Sequence, residues 1–126
     1  MKIMLVDDEP DILFVERIIL EKAGYEIIEA NSGEECLEKL KTEKPDMILL
    51  DVMMPGINGW ETCKRIKENE STKDIPVIMV TVKSSDEDMT KSFKYSQSDG
   101  HVSKPIIKEK LIQTIKWIVK TKGIKG

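Results

Sequence analysis

Short, wholly apolar runs alternate with stretches of helical periodicity along this chain. Ile3–Val6, Met47–Leu50 and Val77–Val80 are apolar at every position, the pattern of strands buried on both faces of a sheet. Glu26-Ile27-Ile28-Glu29 and His101-Val102-Ser103 mix polar with apolar positions and suit sheet edges. Five strands are therefore predicted: Lys2–Asp7, Glu26–Ala30, Asp46–Asp51, Val77–Thr81 and Gly100–Lys104. Between them lie helical stretches. Pro10 suits the first turn of a helix running to Ala23, where Gly24 stops it. Ser32 with Glu35 is a capping-box signature that opens a helix to about Thr42. The turn-rich Met54-Pro55-Gly56-Ile57-Asn58-Gly59 leads into a helix from Trp60 to Asn69. Ser85–Tyr95 is predicted helical on a thin apolar stripe of Met89 and Phe93, and a last helix spans Ile107–Lys120.

Strand, helix, strand alternation predicts a parallel α/β sheet, and right-handed crossovers restrict its topology. With strands 1, 3 and 4 central and 2 and 5 flanking, the order is 2-1-3-4-5. This is the flavodoxin-like arrangement, with five helices around the sheet.

The length of 126 residues allows one domain, and 40% hydrophobic with 34% charged residues is ordinary for a globular chain. No apolar run approaches the ~20 residues of a membrane-spanning helix, so no membrane insertion is expected. Asp7-Asp8-Glu9 cuts the apolar start too short for a secretory signal. Cys36 and Cys63 fit neither a disulfide framework nor a zinc site and read as helix-packing thiols in a cytoplasmic protein. Charge is uneven: residues 1–51 carry 14 acids against 6 bases, and residues 104–126 carry 7 lysines against a single acid. Those lysines surround the periodic set Ile107, Leu111, Ile115, Ile118 and Val119 and include no arginine. They read as the solvated face of a terminal helix rather than a nucleic-acid surface.

In such a sheet, ligands bind beyond the carboxyl ends of the strands. Asp7 and Asp8 follow strand 1, Asp51 ends strand 3, Thr81 ends strand 4 and Lys104 ends strand 5. Three carboxylates, a hydroxyl and an ammonium thus meet on one rim. Clustered carboxylates repel unless a cation compensates, and an all-oxygen set suits a hard ion, Mg2+ above all where phosphate adds ligands. A carboxylate can also attack phosphorus to give an acyl phosphate, with Lys104 and Thr81 placed to hold phosphoryl oxygens.

These residues resemble the receiver domain of two-component response regulators over nearly the whole chain. The resemblance rests on Val6-Asp7-Asp8, Leu50-Asp51-Val52-Met53-Met54-Pro55-Gly56-Ile57-Asn58-Gly59, Met79-Val80-Thr81 and Asp99-Gly100-His101-Val102-Ser103-Lys104-Pro105. It implies that Asp51 accepts a phosphoryl group from a histidine kinase or a histidine phosphotransfer protein. It implies direct Mg2+ ligation by Asp8 and Asp51, ligation by Asp7 through water, and a backbone carbonyl ligand from Met53. The Val82 backbone amide joins Thr81 and Lys104 around the phosphoryl group, Pro105 follows a cis peptide, and Thr81 with the ring of His101 forms a switch that alters binding to a downstream protein target. The implied module is not a conventional enzyme; it catalyses only its own phosphorylation and dephosphorylation. A phosphorylation-independent interaction module on the same fold is the alternative, and the full acid, hydroxyl and lysine set argues against it.

Departures from the family pattern carry their own expectations. His101 stands where Tyr or Phe is usual, and Val82 where a small residue is usual, so Val82 is expected to crowd the phosphoryl approach and slow exchange with small donors. Gln97-Ser98 replaces the commoner Gly-Ala and reads as loop variation. Trp117 is expected to anchor the last helix. The first helix holds more apolar residues (Ile12, Leu13, Phe14, Val15, Ile18, Ile19, Leu20) than one buried face needs, which fits either a docking patch or packing under neighbours. Residues 1–120 read as the receiver and 121–126 as a tail, with no output domain.

Overall fold

The structure, a computed structural model, describes residues 1–82 and 96–124. Five parallel strands, β1 (Lys2–Val6), β2 (Glu26–Ala30), β3 (Met47–Asp51), β4 (Val77–Val82) and β5 (Gly100–Lys104), form one sheet in the order β2-β1-β3-β4-β5. Four helices are seen among the described residues: α1 (Pro10–Lys22), α2 (Gly33–Lys39), α3 (Gly59–Glu68) and α4 (Lys108–Lys122). The helix expected over Ser85–Tyr95 lies outside the described residues.

The strand period of two divides the core into two layers. Met4, Val6, Ile48, Leu50, Val77 and Met79 face α2 and α3, where Cys36, Leu40, Cys63 and Ile66 fill the layer. Ile3, Leu5, Met47, Leu49, Ile78, Val80 and Val102 face the opposite layer, which holds Leu13 and Leu20 of α1 and Leu111, Ile115 and Ile118 of α4. Both cysteines are free and fully buried as packing residues, and burial pushes both thiols up to about 12.

Local chemistry sets the helix ends. Ser32 Oγ accepts from the Glu35 backbone N–H at 3.0 Å, and the Glu35 carboxylate accepts from the Asn31 N–H at 2.9 Å. The reciprocal half of the capping box therefore reaches one residue further back than the motif predicts. Helix α2 ends at Lys39 rather than near Thr42; its C-terminal carbonyls are taken up by the Leu40, Lys41 and Thr42 amides in tight turns. Helix α4 reaches Lys122, two residues into the segment read as a tail. Lys120 and Lys122 oppose the C-terminal dipole there, and Gly123 closes the helix at φ 69°.

Two further expectations are corrected. Trp117 does not anchor α4 but stands 58% exposed, because Leu111, Ile115 and Ile118 already form the buried stripe. Gln97 is more than loop variation, since its φ of 61° lies in the left-handed region that favours glycine. On α1, Phe14, Val15 and Ile18 are exposed, so the apolar excess of that helix faces outward rather than under its neighbours. No helix among the described residues is long and apolar enough to cross a membrane.

Beneath the amino ends of β4 and β5, Asp99 ties three elements together. Its carboxylate takes Lys67 Nζ of α3 at 2.8 Å, Lys122 Nζ of α4 at 3.1 Å and the Val77 backbone N–H at 2.8 Å. Burial opposes ionisation, but Lys67 and the Val77 amide outweigh it and hold the Asp99 carboxyl below its ordinary range.

Candidate functional site: an acidic pocket at the carboxyl edge of the sheet

Each residue of the pocket is placed by the end of a strand. Asp7 follows β1 directly, its backbone N–H donating to the Ala30 carbonyl at 3.2 Å, so the β1–β2 ladder fixes it. Asp51 is the last residue of β3, opposite Val80 of β4. Lys104 is the last residue of β5, opposite Val82, and the Lys104–Pro105 peptide is cis. Two central strands and one edge strand thus deliver an acid, an acid and a lysine to the same rim.

Asp7 and Asp51 are buried, at 1% and 2% exposure, whereas Asp8 is exposed. One oxygen from each of Asp7, Asp8 and Asp51 lies within 4.8 Å of the others. Lys104 Nζ stands 3.0 Å from Asp51 Oδ1, 3.6 Å from Asp7 Oδ2 and 3.6 Å from Glu9 Oε1. The second Asp51 oxygen, Oδ2, and Asp7 Oδ2 are buried without a hydrogen-bond partner. Buried carboxylate oxygens left without a hydrogen bond in an all-oxygen cluster fit a hard divalent cation, which would offset the repulsion between the acids.

Burial raises the Asp7 carboxyl to about 6, even though its Oδ1 accepts from the Glu9 N–H at 2.9 Å, and nearby Asp51 adds to the rise. Asp51 is likewise raised, by burial first, against the opposing hydrogen bond and charge of Lys104. Lys104 goes the other way. Burial works against its ammonium, but Asp51, Asp7 and Glu9 together hold it above the ordinary lysine range.

The loop after Asp51 is shaped by close approach. A Cβ on Gly59 would stand 2.1 Å from the Asp51 carbonyl oxygen, and the Gly59 N–H donates to Val52 O at 2.9 Å. Asn58 caps α3 through the Glu61 N–H at 2.9 Å. On the outer side Glu34 of α2 accepts from the Ile57 N–H at 3.1 Å, which draws that exposed carboxyl down in pKa. Gly56 adopts φ 76°, and a Cβ there would meet that same Glu34 carboxylate at 2.5 Å.

Thr81, Val82 and Met53 lie at or beyond strand ends outside the ion cluster, and His101 lies three residues before Lys104 along β5. Thr81 is 6% exposed at the end of β4, and its hydroxyl donates to Val82 O at 2.9 Å rather than to a carboxylate. Val82 at the end of β4 and Met53 in the loop after Asp51 expose 60% and 70% of their surface. His101 is exposed on β5 opposite Met79, two residues before Ser103, which pairs with Thr81.

Two carboxylates escaped the sequence reading. Glu9 faces Lys104, and its position directly after Asp7-Asp8 was a signal of its membership. Glu16 of α1 is 1% exposed between Leu13 and Leu20 on the buried stripe, and its Oε2 has no hydrogen-bond partner. Helical spacing from those two leucines marks it as an acid at a core position.

The sequence model of the response regulator receiver domain matches residues 3–116. Among curated relatives, protein PilH of Pseudomonas aeruginosa is 32% identical, with 94% of this chain and 97% of that protein covered. The alkaline phosphatase synthesis transcriptional regulatory protein PhoP of Bacillus subtilis is 36% identical, with 98% of this chain and 50% of PhoP covered. The chain thus spans about half the length of PhoP and nearly all of PilH. Among solved structures, the Vibrio cholerae chemotaxis protein CheY4 superposes with a TM-score of 0.87 at 32% identity, over 93% of this chain and 97% of that one.

Proposed function

This chain belongs to the response regulator receiver family, and we propose that it acts as an aspartyl phosphoacceptor in phosphorelay signal transduction, taking a phosphoryl group from a phosphohistidine donor onto Asp51. The observation that carries this reading is the contact of Lys104 Nζ with Asp51 Oδ1 at 3.0 Å inside a cluster of three aspartates. A lysine paired with a buried carboxylate at a strand end neutralises the acid and leaves its other oxygen, Oδ2, without a partner.

In this reading Asp51 Oδ2 attacks the phosphorus of the donor, the P–N bond breaks, and its electron pair returns to the donor imidazole as the acyl phosphate forms. Lys104 then transfers its contact to a phosphoryl oxygen, and the Thr81 hydroxyl and Val82 backbone amide take up others. Asp8 and Asp51 would hold Mg2+, with Asp7 reaching it less directly and the Met53 carbonyl adding a further protein ligand. The ion supplies charge neutralisation for the incoming phosphoryl oxygens. The protein turns over no other substrate; it promotes only its own phosphorylation and dephosphorylation.

The partner on the input side is a histidine kinase or histidine phosphotransfer protein, and the exposed Phe14, Val15 and Ile18 of α1 supply an apolar surface for it. On the output side, movement of Thr81 toward the phosphoryl group and turning of His101 on β5 change the surface offered to a downstream protein target. The chain works in the cytoplasm without contacting nucleic acid.

Incubation with a small acyl phosphate and Mg2+, followed by intact-mass measurement, tests the proposal. Wild type gains one phosphoryl mass, whereas Asp51→Asn and wild type with excess chelator gain none. A wild-type protein that stays unmodified under prolonged incubation, while folded, overturns it.

A further inference from the structure

Glu34 belongs to α2 and to no strand end, yet its carboxylate reaches across to the loop that follows Asp51. Glu34 Oε2 accepts from the Ile57 backbone N–H at 3.1 Å. Among the described residues this is the only hydrogen bond that joins residues 53–57 to another element. The base of the loop is pinned by other means. The Gly59 N–H closes it on Val52 O at 2.9 Å, and Met54 is buried in the layer that holds Cys36 and Cys63. Pro55 and Gly56 stand exposed between these anchors and Ile57. The outer half of the loop thus owes its hydrogen-bonded tie to Glu34.

Helix α2 approaches this loop tightly. A Cβ on Gly33 would stand 2.2 Å from Thr62 Oγ1 of α3 and 2.7 Å from Ile57 Cγ1, so the first residue of α2 is seated against both. On the other side, a Cβ on Gly56 would meet Glu34 Oε2 at 2.5 Å. Capping of α2 is already carried by Ser32, which accepts from the Glu35 N–H, and by Glu35, which accepts from the Asn31 N–H. An acid anywhere in the first turn would favour the helix dipole, but only one that meets the Ile57 amide ties the loop.

We propose that Glu34 is a positioning residue for the phosphoacceptor loop: by holding the Ile57 amide it fixes the outer half of the turn that carries Met53, and with it the readiness of the Asp51 pocket for a divalent cation and a phosphoryl group. Glu34 touches neither ion nor phosphorus, and its effect passes through the backbone from Ile57 back to Met53. Without the hydrogen bond the loop samples more conformations, and the cost of ordering it falls on the binding step. The inference rests on the Mg2+-dependent phosphoacceptor reading of the pocket.

Two variants separate the hydrogen bond from the charge. Glu34→Gln keeps an acceptor oxygen and loses the charge, whereas Glu34→Ala loses both. In the cation-free protein, amide exchange at Ile57 followed by NMR is expected to quicken about fivefold in the Ala variant and to stay within about twofold of wild type in the Gln variant. Exchange at Cys36 and Leu40 of α2 is expected to match wild type in both. Mg2+ affinity by calorimetry, and the rate of phosphorylation by a small acyl phosphate, are expected to fall about three- to tenfold in the Ala variant and less than about twofold in the Gln variant. An Ala variant with wild-type Mg2+ affinity and phosphorylation rate overturns the proposal and leaves the phosphoacceptor reading intact. Equal losses in both variants, with the Ile57 amide still protected in the Gln variant, assign the effect to charge and also overturn it. Folded wild type that neither binds Mg2+ nor gains a phosphoryl mass overturns both readings.

Discussion

Gly59 and Asp51 approach so closely that no side chain fits between them: a Cβ at 59 would lie 2.1 Å from the Asp51 carbonyl oxygen and 2.8 Å from Val52 Cα. The first residue of α3 is therefore pressed against the end of β3, which fixes the backbone that carries the phosphoacceptor. Gly59→Ala is expected to push α3 outward, lower stability by about 2 kcal/mol and slow phosphorylation of Asp51. Urea melts together with phosphorylation rates check both effects; an alanine variant with wild-type values in each would show that the contact relaxes freely.

Asp99 is held by Lys67 and Lys122, with Lys67 only 8% exposed. Asp99→Asn leaves the Lys67 ammonium buried without its carboxylate, and a loss of about 3 kcal/mol is expected. Because the folded carboxyl lies below its ordinary 3.8, its contribution is present above that value and disappears as pH falls through the lower folded value. Wild type should thus lose stability in strong acid more steeply than the Asn variant, as read from denaturant midpoints at descending pH.

Glu16 predicts the opposite slope. Its folded carboxyl is raised from 4.5 to about 8, so its contribution is complete below the ordinary value and is lost as pH climbs toward 8. Asp7, raised to about 6, adds a loss that is over by neutrality. Glu16→Leu is expected to flatten the stability profile between about pH 5 and 8 and to exceed wild type by more than about 1 kcal/mol above that window. Thermal or urea melts of both proteins across that range decide it.

Gln97 holds a φ of 61° where glycine is at ease. Gln97→Gly should relieve that strain and raise stability by roughly 1 kcal/mol, less the extra chain entropy that glycine brings to the unfolded state. A destabilised glycine variant in equilibrium unfolding would mean that the Gln97 side chain outweighs its backbone cost.

Val82 stands opposite Lys104 in the β4–β5 register and exposes 60% of its surface at the rim. Val82→Ala removes two methyl groups from the phosphoryl approach and is expected to speed reaction with a small acyl phosphate severalfold, with little effect on folding since the site is already open. Equal rates for the two proteins, followed by intact mass against time, would remove crowding as a factor.

Much of this molecule is legible in its residues alone. The uniformly apolar Ile3–Val6, Met47–Leu50 and Val77–Val80 can be satisfied only between two helical layers, which makes their strands central and sets the order β2-β1-β3-β4-β5. Strand ends are visible where such runs stop, so Asp7, Asp51, Thr81 and Lys104 could be assigned to one edge before any coordinates. Helix ends were less legible. Helix α2 stops early and α4 runs on because the last turn depends on which carbonyls find amides and which lysines meet the dipole, and neither is written in a periodicity.

Local patterns determined the sheet, its order and the edge where acids gather, because alternation and run length are properties of neighbours along the chain. Distances between strands were decided only in three dimensions: that Lys104 reaches Asp51, Asp7 and Glu9 together, that Gly59 must have no side chain, and that Glu16 is buried. Those facts depend on how far apart residues dozens of positions distant come to rest, and on how much water is left between them, which no stretch of sequence specifies by itself.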